Sequence, residues 1–321
     1  MEKTQTPKTL REAMVYFSDP KRCLDYAVAR RWPDGVTCPT CGSKAVHFLA
    51  NQLRWKCSEK HAKRQFSVKV GTIFEDSPIG LDKWIPAMWL LANCKNGISS
   101  YELGRDLGVT QRTAWFMLHR IRYAMQTGSL MTLGGGGKTV EVDETWIGGS
   151  ARMMNRKQRG RHRGVGKTGK YAVSGKAIVL GMLERGGHVA TKVVPNVQRD
   201  TLLPEVVRHV KAGTEVHTDE NSAYFGLVGP RYDHRIVNHA VTYVDGKVHT
   251  NGVENFWSLL KRGIRGTYVS VEPFHLFRYL DEQAFRFNER GGTDGERFAE
   301  VLGSVTDRRL PYKQLTAQPG T

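Results

Sequence analysis

Four successive glycines at 134–137 separate two stretches of chain whose apolar residues follow different periods. Residues 81–127, before them, show helical spacing. After them come runs of strand length: "KTVEVDETWI" (138–147), "KAIVLGMLE" (176–184) and "HVATKVV" (188–194). A glycine run has no side chains to pack and a large entropy to lose, so it interrupts either pattern. The chain therefore has to form at least two structures of different class. Beyond the glycines, Glu184-Arg185-Gly186-Gly187 is a hairpin signal between two of the strands. A helix over 200–211, a short strand "TEVHTD" ending at Asp219 and helical stretches over 252–263 and 272–289 follow. Strands first, then strands alternating with helices, predict a mixed α/β domain over 138–290.

The remaining divisions follow from composition. Residues 1–33 read as an N-terminal helical segment, with Ser18-Asp19-Pro20 as a helix start. Residues 34–76 hold three of the five cysteines and little helical periodicity, residues 77–130 are helical, and 131–137 form the glycine-rich linker. Residues 291–321, rich in Gly, Asp and Arg, are expected to be a loosely ordered tail. A length of 321 residues suits two or three domains.

Charge narrows the partner. With 48 basic and 31 acidic residues the net charge is +17, which favours a polyanion, nucleic acid ahead of an anionic membrane. The longest apolar run, "WIPAMWLLA" at 84–92, is too short to cross a bilayer, and "MEKTQTPKTLREAM" has no apolar core of a signal peptide. The expectation is a protein of the cytoplasm, whose odd cysteine count fits a metal site better than a disulfide frame.

Cys38 and Cys41 stand two residues apart, and Cys57 and His61 follow after a gap of fifteen residues. This is tetrahedral zinc spacing, and four protein ligands leave no open position, so the ion would be structural. The segment has few large apolar residues, so zinc would supply its folding energy. His61 is the weakest of the four ligands, with His47 as a distant competitor. Cys23 and Cys94, on apolar helical stretches, read as core.

"ISSYELGRDLGVTQRTAWFMLHRIRYAM" (98–125) has helix-turn-helix spacing: Ser99 or Ser100 caps one helix, Gly108 makes the turn and Thr110 caps the next. Gln111, Arg112 and Thr113 at the start of the second helix are the expected base or phosphate contacts, with Arg120 and Arg122 nearer the DNA backbone. A plain helical hairpin has the same spacing; net charge and the cysteine cluster favour DNA.

The acids carry the chemistry. Asp143 interrupts an otherwise apolar strand, Asp219 ends a later one, and Glu254 lies on a helix thirty-five residues further on. Lys261, seven residues past Glu254, shares its helical face, with Trp257 and Ser258 between them. If the three acids converge they repel, and burial is unfavourable unless cations sit among them. Two Mg²⁺ (or Mn²⁺) ions about 4 Å apart would answer this, since such ions take a few carboxylates plus substrate phosphates and serve phosphodiester chemistry. Glu144, Glu220, Asp233 and Asp245 read as surface or turn acids.

"CPTCGS", "RWKC" and "QFSVKVGTIFEDS" resemble the N-terminal zinc ribbon of DDE-type insertion-sequence transposases of the ISXO2-like group. "VEVDETWIGG", "VHTDENSAYF" and "HTNGVENFWSLLKRGIRGTYVSVEPFHLFRYLDEQAFRFNER" resemble their catalytic domain, so the likeness covers roughly residues 14–290. It implies an RNase H-like fold, divalent-metal catalysis, and strand cleavage and transfer at insertion-sequence ends. It implies Asp143, Asp219 and Glu254 as the metal-binding acids and Lys261 as the accompanying lysine. Some members of the group use asparagine third, but Asn251 lacks the seven-residue step to lysine. Implied with these are terminal-repeat and target DNA as partners, a homodimer or larger assembly on DNA, and a nucleoid-associated place in a bacterium or archaeon. A zinc-ribbon transcription regulator and an RNase H-like nuclease that cuts without joining are the rival readings.

Residues 151–170 hold eight Lys or Arg and no acid, directly after the Asp143 strand. Arg156, Lys157, Arg159, Arg161 and Arg163 are expected to meet DNA phosphates there. "GVGKTGK" within this run is no P-loop, because Arg161 stands where the first glycine is needed and no apolar strand leads in.

Overall fold

Capping sets the first helices. Thr9 and Glu12 form a capping box that opens α1 (Leu10–Tyr16), and Asp19 caps α2 (Pro20–Arg31) with Pro20 in its first turn. The computed structural model describes residues 6–126, 131–148, 176–227, 231–237 and 248–316. The chain divides into two units, one made by residues up to 126 together with those from 289 on, the other by residues 127–288.

In the first unit, β1 (Val46–Leu49), β2 (Arg54–Cys57) and β3 (Gln65–Phe66) pair antiparallel in that order. α3 (Leu81–Asn93) buries Trp84, Ile85, Met88 and Leu91. α4 (Ser100–Leu107) is capped by Ser99 and α5 (Gln111–Ala124) by Thr110. Between them Gly108 takes φ +60°, a left-handed value that disfavours other residues. The helix-turn-helix pattern is thus realised at its predicted turn and caps.

The second unit is a five-stranded mixed sheet. β4 (Thr139–Ile147), β5 (Ala177–Glu184) and β6 (Val189–Val194) run antiparallel. After α6 (Arg199–His209), β7 (Thr214–Thr218) and β8 (Tyr232–Ile236) add in parallel on the other side of β4, in the order β6-β5-β4-β7-β8. Side chains alternate along β4. Val140 and Val142 join Leu180, Met182, Leu202, Val206 and Tyr224 in one core. The other core is formed by Val179 and Leu183 with Val253, Phe256, Trp257 and Leu260 of α7 (Asn251–Gly263) and Leu280 of α8 (Leu276–Asn288). Helices cover both faces, which is the RNase H-like mixed α/β architecture expected. β8 escaped the sequence reading because its "YDHRI" is polar and mostly exposed, as an edge strand can be.

The chain then returns to the first unit, and the expected loose tail proves ordered through residue 316. Thr293 and Glu296 form a second capping box at the start of α9 (Asp294–Gly303), and α10 (Tyr312–Thr316) follows. Phe298, fully buried, lies 5.6 Å from the ring of Phe17, 6.0 Å from Tyr26 and 5.2 Å from Trp89. The sequence signal was present in Thr293-x-x-Glu296 followed by Phe298, Val301 and Leu302 at helical spacing. Phe298→Ala should therefore destabilise the first unit by about 3–5 kcal/mol, measured as a shift in its denaturant unfolding midpoint. Protection of sheet amides of the second unit from hydrogen exchange should remain.

Candidate active site and metal centres

The β1–β2 hairpin brings four soft donors together. Ligand atoms of Cys38, Cys41, Cys57 and His61 all lie within 4.8 Å of one another. Cys41 Sγ is 3.7 Å from Cys57 Sγ, and Cys38 Sγ is 3.5 Å from His61 Nε2. Two thiolates on one tetrahedral zinc, each about 2.3 Å from it, stand about 3.8 Å apart. The residues therefore fit the ion. His61 Nδ1 bonds the Ala62 carbonyl at 2.6 Å, which places its proton there and leaves Nε2 to face the thiols. Burial would raise the Cys38 thiol, but the amides of Cys41 and Thr40 and the neighbouring thiols hold it down at about 7. His47, the competitor for the fourth position, instead bonds Ser58 Oγ at 3.0 Å.

The second cluster contains only oxygen donors. β4 and β7 run parallel with Glu141 opposite His217, and two residues further on stand Asp143, within β4, and Asp219, just past the end of β7. Carboxylate oxygens of Asp143, Glu144 and Asp219 all lie within 4.8 Å of one another. Burial pushes the Asp143 carboxyl up to about 6; a hydrogen bond from Trp257 Nε1, at 2.9 Å, opposes this, and the charges of Asp219 and Glu254 reinforce it. Glu254, on the first turn of α7, stands outside the tight group, with its Oε1 accepting from Thr250 Oγ1 at 3.1 Å. Lys261 lies two turns further along α7. Burial lowers its pKa, Arg265 and Lys176 add to the effect, and Asp143 works against it.

Glu144 is not the surface acid expected. It is buried, accepts from Tyr224 Oη at 2.6 Å and from Asn221 Nδ2 at 3.3 Å, and burial pushes it up to about 8. Strand alternation carried the signal, because Val140, Val142 and Glu144 must point to one face. Glu220 is exposed, and Asp233 is exposed with Arg235 at 3.0 Å, as expected of surface acids; Asp245 lies outside the described residues.

The oxygen-only set suits a hard divalent cation. Close packing keeps the acids in place. Gly181 of β5 faces Asp143 across the strand pair, and a Cβ there would come within 2.4 Å of the Trp257 ring. Only glycine lets the indole reach Asp143 over the strand.

At the start of α5, Arg112 is exposed, with its guanidinium 3.0 Å from Tyr312 Oη. Gln111 bonds Ser100 Oγ at 2.8 Å, and Thr113 shares the cap hydroxyl of Thr110. Arg120 does not reach the surface assigned to it. It is buried and donates to the carbonyls of Ile73, Glu75 and Leu310 at 2.7, 2.7 and 3.1 Å. Arg122 is buried too. The carbonyls that take up Arg120 come from distant segments, which helix spacing alone does not show. Arg156, Lys157, Arg159, Arg161 and Arg163 lie outside the described residues. Among the described residues no helix is long and apolar enough to cross a membrane.

An RNase H-like sheet with Asp143 and Glu144 inside the central strand β4 and Asp219 just past the end of its neighbour β7 is the arrangement of a DDE-class transposase domain, and here a four-donor ribbon precedes it in the chain. Residues 132–288 match the ISXO2-like transposase domain and residues 18–61 the transposase zinc-ribbon domain. The chain is 27% identical over 274 residues to an uncharacterized protein in transposable element ISH50 of Halobacterium salinarum, covering 82% of this chain and 89% of that one. It is 36% identical over 100 residues to an uncharacterized transposase-like protein of Haemophilus influenzae, covering 31% of this chain and 80% of the relative. The chain belongs to the ISXO2-like transposases.

Removing zinc with a chelator should abolish hydrogen-exchange protection in β1–β3 while leaving that of β4–β7 intact. Gly181→Ala should cost about 1–3 kcal/mol through overpacking, read by denaturant titration. It should also weaken Mn²⁺ binding measured by titration calorimetry, because the displaced indole no longer holds Asp143.

Proposed function

We propose that this transposase binds the terminal inverted repeats of its insertion sequence and carries out strand cleavage and strand transfer at one carboxylate site. The observation that carries this reading is the meeting of Asp143 and Asp219 from neighbouring parallel strands, with Glu144 in the same group. Asp143, Asp219 and Glu254 are the residues that would hold two Mg²⁺ or Mn²⁺ ions, and Glu144 is a further oxygen within reach. Such ions activate an attacking oxygen and stabilise the leaving one in phosphodiester chemistry.

The side chains of the protein do the positioning. Trp257 fixes one Asp143 oxygen and so leaves the other free to bind. Tyr224 and Asn221 do the same for Glu144. Lys261 presents a cation on the α7 face that carries Glu254, where it meets the negative charge of a DNA phosphate. In the first step water attacks the phosphodiester at the element end and expels the 3′-oxygen of the element strand as a hydroxyl; in the second that 3′-hydroxyl attacks a target phosphodiester in line, joining to its phosphorus and expelling the 3′-oxygen of the neighbouring target nucleotide. The attacking oxygen differs between the steps but the phosphate chemistry does not, so one site serves both. Gln111, Arg112 and Thr113, together with the basic residues of 151–170, would hold the DNA. Pairing two element ends requires at least two subunits, so the working form is a dimer or larger, acting in the cytoplasm on nucleoid DNA.

The test is a nicking and joining assay on a plasmid carrying the element ends. Asp143→Asn and Asp219→Asn should each reduce metal-dependent nicking and joining below detection while retaining end binding in a gel shift. Wild-type binding without nicking would mean a regulator, and nicking without joining a nuclease; either result rejects the proposal.

A further inference from the structure

Beneath the acids lies a second polar layer that their chemistry does not use. Glu141 is only 1% exposed, two residues before Asp143 and on the same face of β4. Its Oε1 accepts from Arg185 Nε at 2.7 Å, and its Oε2 accepts from the backbone N–H of Val253 at 3.0 Å. Val253 directly precedes Glu254 and belongs to the first turn of α7, where Thr250 offers no side-chain cap. The buried carboxylate of β4 thus caps the helix from another element, satisfying an orphan amide and placing negative charge at the positive end of the helix dipole. Gly252 makes room for it, since a Cβ there would lie 2.8 Å from Glu141 Oε2.

Arg185, from the hairpin between β5 and β6, is the hub. Besides Glu141, it donates to His217 Nδ1 at 3.0 Å and to the His249 carbonyl at 2.7 Å. His217 is fully buried, two residues before Asp219 on β7. An arginine can only donate, so His217 Nδ1 accepts and its proton sits on Nε2, which donates to Glu215 Oε1 at 2.9 Å. One guanidinium therefore ties together β4 below Asp143, β7 below Asp219, and the segment that leads into the Glu254 helix.

We infer that Arg185, with Glu141 and His217, forms a positioning layer that sets the spacing of Asp143, Asp219 and Glu254 and hence their joint affinity for divalent metal. The layer touches neither substrate nor metal. A single side chain spans three elements far apart in sequence: Glu141 and His217 each stand two residues before an acid, and His249 lies just ahead of the helix that carries Glu254. Burial at Glu141 and His217 makes the arrangement stiff, because breaking any bond leaves a buried polar group unpaired. The inference rests on the proposed carboxylate site.

The test is Mn²⁺ binding, followed by electron paramagnetic resonance on the full-length, zinc-loaded chain, with thermal melting recorded in parallel. Arg185→Gln and Arg185→Lys should each weaken Mn²⁺ binding by about 10–100-fold, the usual effect of losing an outer-shell support, while melting stays cooperative. Lysine keeps the charge but cannot reach three acceptors at once, so it carries the test if Arg185→Gln does not fold. Wild-type affinity in either folded variant overturns the inference. A wild-type chain that binds no Mn²⁺, or an Asp143→Asn chain that binds it as well as wild type, instead rejects the carboxylate site itself, and the positioning layer with it.

Discussion

Mutual repulsion of carboxylates is the constraint around which the second unit is arranged. Asp143, Glu144 and Asp219 bring their oxygens within 4.8 Å of one another, and burial drives both Asp143 and Glu144 upward. Left to themselves such groups move apart or take up protons. They stay together because each is held by something rigid: a strand in the middle of a sheet, an indole seated over a glycine, a phenol fixed in the core. The unfavourable charge is offset by the apolar packing of two cores, one on each face of the sheet. A divalent cation bound among these oxygens would relieve that repulsion.

The two metal centres reverse the usual order of cause. In the ribbon, three short strands around Trp55 and Phe66 offer little apolar surface, so an ion on the four donors would hold the protein in shape. In the sheet, ample apolar burial lets the protein hold the acids in place for the ion. Soft thiols and an imidazole suit the first task because they form a closed, strong tetrahedron. Carboxylates suit the second because they leave positions open for phosphate oxygens.

Much of this was legible before any coordinates. Ser99, Gly108 and Thr110 announced the helix pair, the cysteine spacing announced the ribbon, and the apolar runs announced β4 to β6. Much of what was missed depends on partners distant in sequence. Arg120 looked like a surface cation because its helix alone does not show that carbonyls from residues 73, 75 and 310 will enclose it. β8 is polar because it needs only one neighbour. Glu144 reads as a surface acid because the sequence does not show Tyr224, eighty residues on, that meets it in the core. The ordering of 293–303 was within reach, since its capping box and apolar spacing are local, and composition outweighed them wrongly.

The return of α9 to the first unit has a consequence for synthesis. Trp89, Phe17 and Tyr26 are made early, but Phe298, which completes their cluster, leaves the ribosome only after all of residues 127–288. The half of the molecule that carries the helix-turn-helix therefore cannot finish folding on a nascent chain. Loop closure across the entire sheet domain must come first, and such long-range closure is slow. An interrupted translation product would hold the helix pair in sequence but would lack Phe298, the ring that completes the core of its unit.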